Sequence, residues 1–320
     1  GDTFDVVLEN KLAESTVIHW HGILLPNNQD GVELTQKAIA PGGSYPYDFK
    51  LKQIGTYWMH SHFGFQMQKF AEAPLIIDDG KYPNQAVIMF QDFSFRQPDA
   101  IMADLKKGRI ASKDTSEDEH RHIDLNDVKY DAFLTNYHTP QKPQVYTFKP
   151  NSEVRLRFIN GATSSNFWIN LGKLKGTVIA VDGEDIKPIS GYKFPLSLGQ
   201  RMDIVVKLPV TKGIYPIIGQ VEGLKNQTGI VISSNEVATT YKLNPEAKVA
   251  APALNYNSEL KFVSLDPLPV KKVDKVVNID LGGNMQKYIW TINNQVWPNV
   301  TPIEVKKGDR VELDIHNSTW

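Results

Sequence analysis

The sequence predicts an all-β protein built from three similar β-sandwich units. Three ten-residue segments resemble one another, at 1–10, 151–160 and 308–317: each has a turn pair, a strand of partly alternating polarity and Asn as its tenth residue. Their starts lie roughly 150 residues apart, which is the length of one sandwich domain. Long helical periodicity is scarce, and 97–107 is the best candidate for a short helix.

The spacing of the repeats sets the predicted domain boundaries. Domain 1 is expected at about 1–80, domain 2 at 81–240, a proline-containing linker at 241–272 and the start of domain 3 at 273–320. By the same measure the first and third domains are incomplete, because the chain begins after one expected strand and ends a few residues into the third repeat. We therefore expect this chain to be a fragment of a longer protein.

Composition and charge exclude several functional classes. The 320 residues include 35 basic and 36 acidic side chains, so no strong field attracts nucleic acid or an anionic membrane. No apolar run approaches the roughly 18 residues of a membrane span. The chain has no cysteine, which rules out disulfides, thiolate metal sites and cysteine nucleophiles within it. Neither nucleic acid nor a membrane is expected as a partner.

Two short motifs predict a metal site: His19-Trp20-His21 and His60-Ser61-His62. Residues i and i+2 of a strand face the same side about 7 Å apart, so each motif aims two imidazoles at one place. A single such pair is common on protein surfaces, but these two pairs contain half of the eight histidines. Neutral imidazole suits copper, zinc, nickel and iron, whereas calcium and magnesium need oxygen ligands that neither motif contains.

The other histidines carry no predicted function. His138 lies in a turn and His316 at a strand end. His120 and His122 belong to an acidic segment, 117–122, that we expect to be a mobile, solvated loop.

The segments around the two motifs follow a specific order along the chain. They are His19-Trp20-His21-Gly22, Asp30-Gly31, Pro41-Gly42-Gly43-Ser44-Tyr45 and Gly55-Thr56-Tyr57-Trp58-Met59-His60-Ser61-His62. This order resembles the first domain of multicopper oxidases, the family of laccases, ascorbate oxidase and bacterial copper-resistance oxidases. Residues 74–77 resemble that domain's closing strand, and 291–294 and 307–309 resemble the start of the family's third domain. The resemblance covers essentially the whole chain and implies tandem cupredoxin-like Greek-key β-sandwich domains, the first and third incomplete.

The resemblance also implies a role for each predicted site residue. His19 would bind a type 2 copper. His21 and His60 would share one type 3 copper, and His62 would bind the other. Asp30 matches the family's acidic residue that relays protons during oxygen reduction; its alternative interpretation is an ordinary turn residue.

The implied activity is the one-electron oxidation of a small phenolic or metal-ion donor, coupled to four-electron reduction of molecular oxygen to water. The implied location is the periplasm or the outside of the cell. In the family, the remaining cluster histidines and the cysteine of the type 1 copper lie in the third domain, and this chain ends before they are due. We therefore expect copper here only at type 2 and type 3 positions, and we expect the isolated chain to be inactive.

Two alternatives from other functional classes stay open. The first is a copper-binding or scaffold cupredoxin protein without oxidase activity, although the presence of all four histidines argues against a complete loss of copper. The second is a copper nitrite reductase, which ranks lower because those proteins lack this pair of His-x-His motifs.

Overall fold

Strands dominate the structure. The computed structural model describes residues 1–107, 125–235, 241–255, 257–284 and 287–319. The predicted loop at 117–122, with His120 and His122, lies outside this part. Within it, short 3₁₀ turns occur at Asn27–Gln29, Met67–Lys69 and Glu259–Lys261. The predicted all-β class is confirmed.

Residues 1–95 and 130–266 form one compact unit, and residues 96–129 and 267–320 form another. The first unit contains predicted domain 1 and all of predicted domain 2 except 96–129. The boundaries at 80, 240 and 272 remain a prediction.

The first sandwich packs a two-stranded sheet against a three-stranded sheet. Its antiparallel strands are β1 (Thr3–Glu9), β2 (Ile18–His21), β3 (Ser44–Lys50), β4 (Gly55–Ser61) and β5 (Glu72–Ile77), in the orders β1-β3 and β2-β4-β5. Ile18 and Trp20 join the buried core of this sandwich. Because they alternate with His19 and His21 along β2, their burial turns both histidines to the opposite face.

The second sandwich packs a six-stranded sheet against a five-stranded sheet. Its strands are β6 (Gln85–Phe93), β7 (Ala132–Thr135), β8 (Val145–Thr147), β9 (Glu153–Asn160), β10 (Phe167–Asn170), β11 (Gly176–Val181), β12 (Glu184–Gly191), β13 (Lys193–Leu196), β14 (Arg201–Lys207), β15 (Ile214–Val221) and β16 (Gln227–Ser233). The strand orders are β12-β11-β14-β9-β6-β7 and β13-β10-β15-β16-β8, and the pairs β6/β9 and β8/β16 are parallel. Aromatic and branched side chains from both sheets, including Phe90, Phe158 and Ile230, fill the core between them.

The second unit contains a short helix and a small sheet. Helix α1 (Pro98–Leu105) lies within the predicted helix at 97–107, and Pro98 stands in its first turn, where a missing N–H costs nothing. The sheet has the order β18-β17-β19, with β17 at Lys275–Asn284, β18 at Ile289–Ile292 and β19 at Val311–Asn317. No helix in the described ranges has the length and apolar character needed to cross a bilayer.

The tenth residue of each repeat closes a turn, as the sequence predicts. The side-chain oxygens of Asn10, Asn160 and Asn317 each accept a hydrogen bond from the backbone N–H two residues later, at 2.9, 3.0 and 3.1 Å. This local bond ends the strand by offering the backbone a partner outside the sheet.

A buried charged network joins the two sandwiches of the first unit. Arg157, which is fully buried, donates to Thr56 Oγ1 at 2.9 Å and to Asp78 Oδ1 at 2.8 Å. Thr56 in turn donates to Asp203 Oδ1 at 2.6 Å. The network holds β4, which carries His60, against β9 and β14 of the second sandwich.

Candidate metal centre

The four histidines of the two motifs form one cluster. Strands β2 and β4 are antiparallel neighbours, and their register places His19 directly opposite His60. Residues opposite each other in such a pair point to the same face of the sheet. The ring centroid of His19 lies 5.6 Å from that of His21, 5.4 Å from that of His60 and 4.9 Å from that of His62. Each imidazole is therefore close enough to its neighbours to share a small metal cluster with them.

The ring nitrogens approach one another closely. One nitrogen each from His19, His60 and His62 lies within 4.8 Å of the other two. His21 joins through its Nδ1, which lies 3.2 Å from His60 Nε2. With metal–imidazole bonds of about 2.0–2.1 Å, two nitrogens at this separation can bind the same ion. In the described part of the chain, no other group of three His, Cys, Asp or Glu side chains converges in this way.

The environment favours the neutral form of His21, His60 and His62. Burial, with a smaller contribution from the neighbouring histidines, lowers the pKa of His60 to about 3. Burial and then the positive charge of Arg201 lower the pKa of His21 to about 4. The pKa of His62 is lowered by burial and then by His19. Since only the neutral ring has a lone pair to donate, these nitrogens are free to bind metal at neutral pH.

Asp30 lies beside His19. The Nδ1 atom of His19 is 2.8 Å from the Asp30 carbonyl oxygen and 3.1 Å from the carboxylate Oδ1. Both oxygens only accept hydrogen bonds, so Nδ1 carries the proton and Nε2 keeps the lone pair for a metal. Asp30 also ends the turn at Asn27–Gln29. It is therefore both a turn residue and a hydrogen-bond partner of His19.

Gly31 allows the Asp30 loop to approach β2. It has a φ of +71°, and a Cβ atom built on it would lie 1.7 Å from the carbonyl oxygen of Ile18. Only glycine fits between the loop and the strand at this point. The Asp30-Gly31 pair thus supports the contact that orients His19.

Trp58 is a residue that the sequence reasoning missed. Its fully buried indole stacks on His60 with ring centroids 4.2 Å apart, and on His21 at 5.1 Å. Met89 and Ile159 pack with it. The signal was available, because Trp58 precedes His60 by two positions on a strand and must share its face. The indole limits rotation of both imidazoles.

Glu72 was missed as well. It lies opposite His60 on β5, which extends the row His19–His60 by one acidic side chain on the same face. Only 6% of Glu72 is exposed, and burial raises its pKa to about 8 despite the opposing effect of a hydrogen bond that Gln91 Nε2 donates to Oε1 at 2.6 Å. The predicted closing strand at 74–77 began too late to include it.

A buried glutamine supports the loop after His62. Gln66 Oε1 accepts hydrogen bonds from Ser61 Oγ at 2.8 Å and from Thr16 Oγ1 at 2.7 Å. Ser61 Oγ also accepts one from Phe63 N at 3.0 Å. Ser61 therefore points away from the cluster and anchors the chain between His60 and His62.

Two of the histidines without a predicted function lie in the described part of the chain, and both are exposed. His138 is exposed in the turn after β7, where its N–H bonds to Thr135 O at 2.9 Å. His316 is exposed near the end of β19, 3.2 Å from Asp280 Oδ1.

Comparison with known proteins places this geometry in a family context. Two family models, both described as multicopper oxidase, match residues 1–82 and 84–241. The multicopper oxidase MmcO of Mycobacterium tuberculosis is 28% identical over an alignment that covers 100% of this chain and 66% of that protein. A copper resistance protein A homolog of Pseudomonas syringae pv. tomato is 35% identical and covers 69% of this chain and 43% of its own length.

The three-dimensional comparison agrees. The crystal structure of a laccase from Botrytis aclada superimposes with a TM-score of 0.71 at 25% identity, covering 92% of this chain and 56% of the laccase. The chain therefore spans only part of the length of these relatives, and its sandwiches have the cupredoxin-like fold of multicopper oxidases.

Proposed function

This chain belongs to the multicopper oxidase family, and on that premise we propose that His19, His21, His60 and His62 hold copper in an oxidase. The whole protein would couple the one-electron oxidation of a phenolic or metal-ion donor to the four-electron reduction of molecular oxygen to water. The observation that carries this proposal is the convergence of ring nitrogens from two strands at one face of the first sandwich.

The chemistry of the donor set fits copper. The ligands are imidazole nitrogens, which suit copper well, and burial keeps most of them unprotonated. Copper bound here would supply electrons to oxygen by cycling between its two oxidation states. The residues of the chain would hold the metal, fix the orientation of its ligands and control access to it.

The geometry supports a division of roles among the ligands. The facing nitrogens of His21 and His60 suit a shared type 3 copper. By the family resemblance, His62, the most exposed of the four, would bind the second type 3 copper, and His19 the type 2 copper. Asp30 accepts a hydrogen bond from His19 Nδ1 and is partly open to solvent. This position suits a carboxylate that takes up protons for oxygen reduction.

The chain has no cysteine, so residues 1–320 by themselves contain no cysteine-ligated type 1 copper. Oxidation of the donor would depend on that type 1 centre. We therefore keep both a phenol and a metal ion as candidate donors. We also propose that the protein works in the periplasm or outside the cell, as the family resemblance implies. Fractionation of the source cells would test the location.

Copper binding to the 320-residue chain tests the proposal. His60→Ala should lower the amount of copper retained after dialysis by more than about tenfold. His138→Ala is the matched control, because it removes an exposed histidine away from the cluster and should leave the copper content unchanged. Equal copper loss in the two variants, or a preference for zinc over copper, would contradict the assignment.

Oxygen uptake by the complete protein separates an oxidase from a scaffold. With syringaldazine or a metal ion as donor, the oxidase should consume oxygen, and His21→Ala should abolish this consumption. A protein that retains copper at the cluster but consumes no oxygen with any donor would favour the copper-binding or scaffold alternative.

A further inference from the structure

The second sandwich reaches the metal centre through Arg201, the first residue of β14. The side chain is buried, with 5% of its surface exposed. Its guanidinium packs against Gly22, the residue after His21, so closely that a Cβ atom on Gly22 would lie 2.3 Å from Arg201 Nη2. No side chain larger than hydrogen fits there without moving the guanidinium.

Arg201 also fixes the loop that touches the His21 ring. A Cβ atom on Gly199 would lie 3.1 Å from His21 Cε1 and 3.5 Å from His21 Nε2, so the Gly199 backbone stands against that edge of the imidazole. Arg201 Nη1 donates a hydrogen bond to the Gly199 carbonyl oxygen at 2.9 Å. Arg201 therefore contacts both Gly22, which follows His21 in the chain, and the Gly199 loop, which lies against the His21 ring.

The positive charge of Arg201 is only partly balanced. Three of its hydrogen bonds go to neutral carbonyl oxygens, of Gly199, of Thr56 at 3.3 Å and of Asp182 at 3.1 Å. Its ion-pair partner is the Asp182 carboxylate, 3.2 Å from Nη1, whose side chain is 49% exposed. The buried Asp203 also interacts with Arg201, but its carboxylate is already paired with Arg155 and Arg157. Water screens a half-exposed carboxylate, whereas the guanidinium lies in a buried environment of lower dielectric. Consistent with this, Arg201 contributes to the lowered pKa of His21.

We propose that Arg201 is a positioning residue that holds the outer edge of His21 and, through its buried charge, favours copper(I) over copper(II) at the ion that His21 binds. A fixed positive charge disfavours the doubly charged ion more than the singly charged one. It thereby raises the tendency of that copper to accept one electron. This inference rests on the proposed function, since it requires copper on His21.

The test measures the copper(II) and copper(I) affinities of the full 320-residue chain by competition with chromophoric chelators, the second under ascorbate. Arg201→Gln should shift the preference toward copper(II) by about tenfold, which corresponds to a fall of about 59 mV in reduction potential. Arg201→Lys keeps the charge and should shift the preference by less than about threefold.

Asp182→Asn provides the opposite change. Asp182 has a φ of +54°, a conformation that Asn tolerates, and Asn keeps the side-chain oxygen that accepts from Arg201 N at 2.9 Å. Removing this carboxylate should shift the preference toward copper(I) by about threefold. Asp185→Asn makes the same charge change on an exposed residue outside these contacts and should produce no shift.

The outcomes distinguish the two levels of the argument. If Arg201→Gln and Arg201→Lys shift the preference equally, or if Asp182→Asn leaves it unchanged, the charge role of Arg201 is wrong while copper binding stands. If thermal unfolding shows no folded Arg201→Gln, the result for Asp182→Asn alone decides whether the charge role of Arg201 is correct. If His21→Ala binds copper as tightly as the parent chain, the proposed site itself is wrong.

Discussion

Glu72 should contribute stability that is lost as the pH rises from about 4.5 to about 8. Its carboxyl is buried beside the ligand row, and burial raises its pKa from 4.5 to about 8. In this range the unfolded chain has released the proton while the folded chain keeps it. Because the folded state then binds more protons, the free energy of unfolding decreases with rising pH.

The size of the effect follows from the pKa difference. The span from 4.5 to about 8, at 1.36 kcal/mol for each pKa unit, gives at most about 5 kcal/mol of lost stability above pH 8. Glu72→Gln removes the titrating group and keeps the oxygen that accepts from Gln91. Glu72 Oε2 is buried without a hydrogen-bond partner, and an amide group left unpaired at this position costs about 1–3 kcal/mol. We therefore expect the variant to be more stable than the parent by about 2–4 kcal/mol at pH 8 and less stable at pH 4.

Urea unfolding at pH 4, 5, 6, 7 and 8 measures this profile. The free energy of unfolding of Glu72→Gln minus that of the parent should rise steadily with pH, from negative at pH 4 to positive at pH 8. Glu33→Gln, which removes an exposed carboxyl, is the control that should follow the parent. Parallel profiles for the parent and Glu72→Gln would show that Glu72 does not hold a proton in the folded protein.

Three further results are expected. In the complete protein, Asp30→Asn should lower the kcat of the proposed oxidase reaction about a hundredfold with unchanged copper content, as measured by an oxygen electrode and metal analysis. Unchanged turnover would exclude a proton relay. Trp58→Ala should destabilise the fold by about 3–5 kcal/mol and weaken copper binding, whereas Trp58→Phe should retain most of both in urea unfolding and dialysis. Because the pKa values of His21 and His60 are lowered to about 4 and about 3, these rings stay neutral as the pH falls, and proton competition should release copper only near or below pH 4. A large loss of copper between pH 7 and pH 5.5 would contradict this protonation state.

Local sequence patterns predicted much of the site because a strand has a period of two. Given that His19 and His21 lie on one strand and Trp20 is apolar, burying Trp20 leaves the two histidines on one face, whatever the rest of the fold does. For His60 and His62 only the period of two was available, because the residue between them is the polar Ser61 and β4 ends there. The Asn residue that ends each repeat is also a local signal, since its side chain bonds to the backbone only two residues away.

Contacts between distant residues could not be predicted in this way. The register that places His19 opposite His60 and His60 opposite Glu72 depends on how β2, β4 and β5 align, and a slip of one residue would turn each side chain to the other face. Glu72 carries no local mark of burial, because a lone acidic residue before an apolar run is ordinary for a surface.

By itself, the sequence determined the strand-rich class, the two same-face histidine pairs, the absence of thiolate ligands and the family resemblance, all of which depend on composition or on short-range order. Only the tertiary structure decided which pairs meet, how buried each imidazole is and which neighbours set its charge. Arg201 shows why: its contact with Thr56 joins residues 145 positions apart, and its place beside His21 exists only once two sandwiches have packed together. Burial and electrostatics act through space, and the distances that control them are set by packing between segments that the chain order leaves far apart.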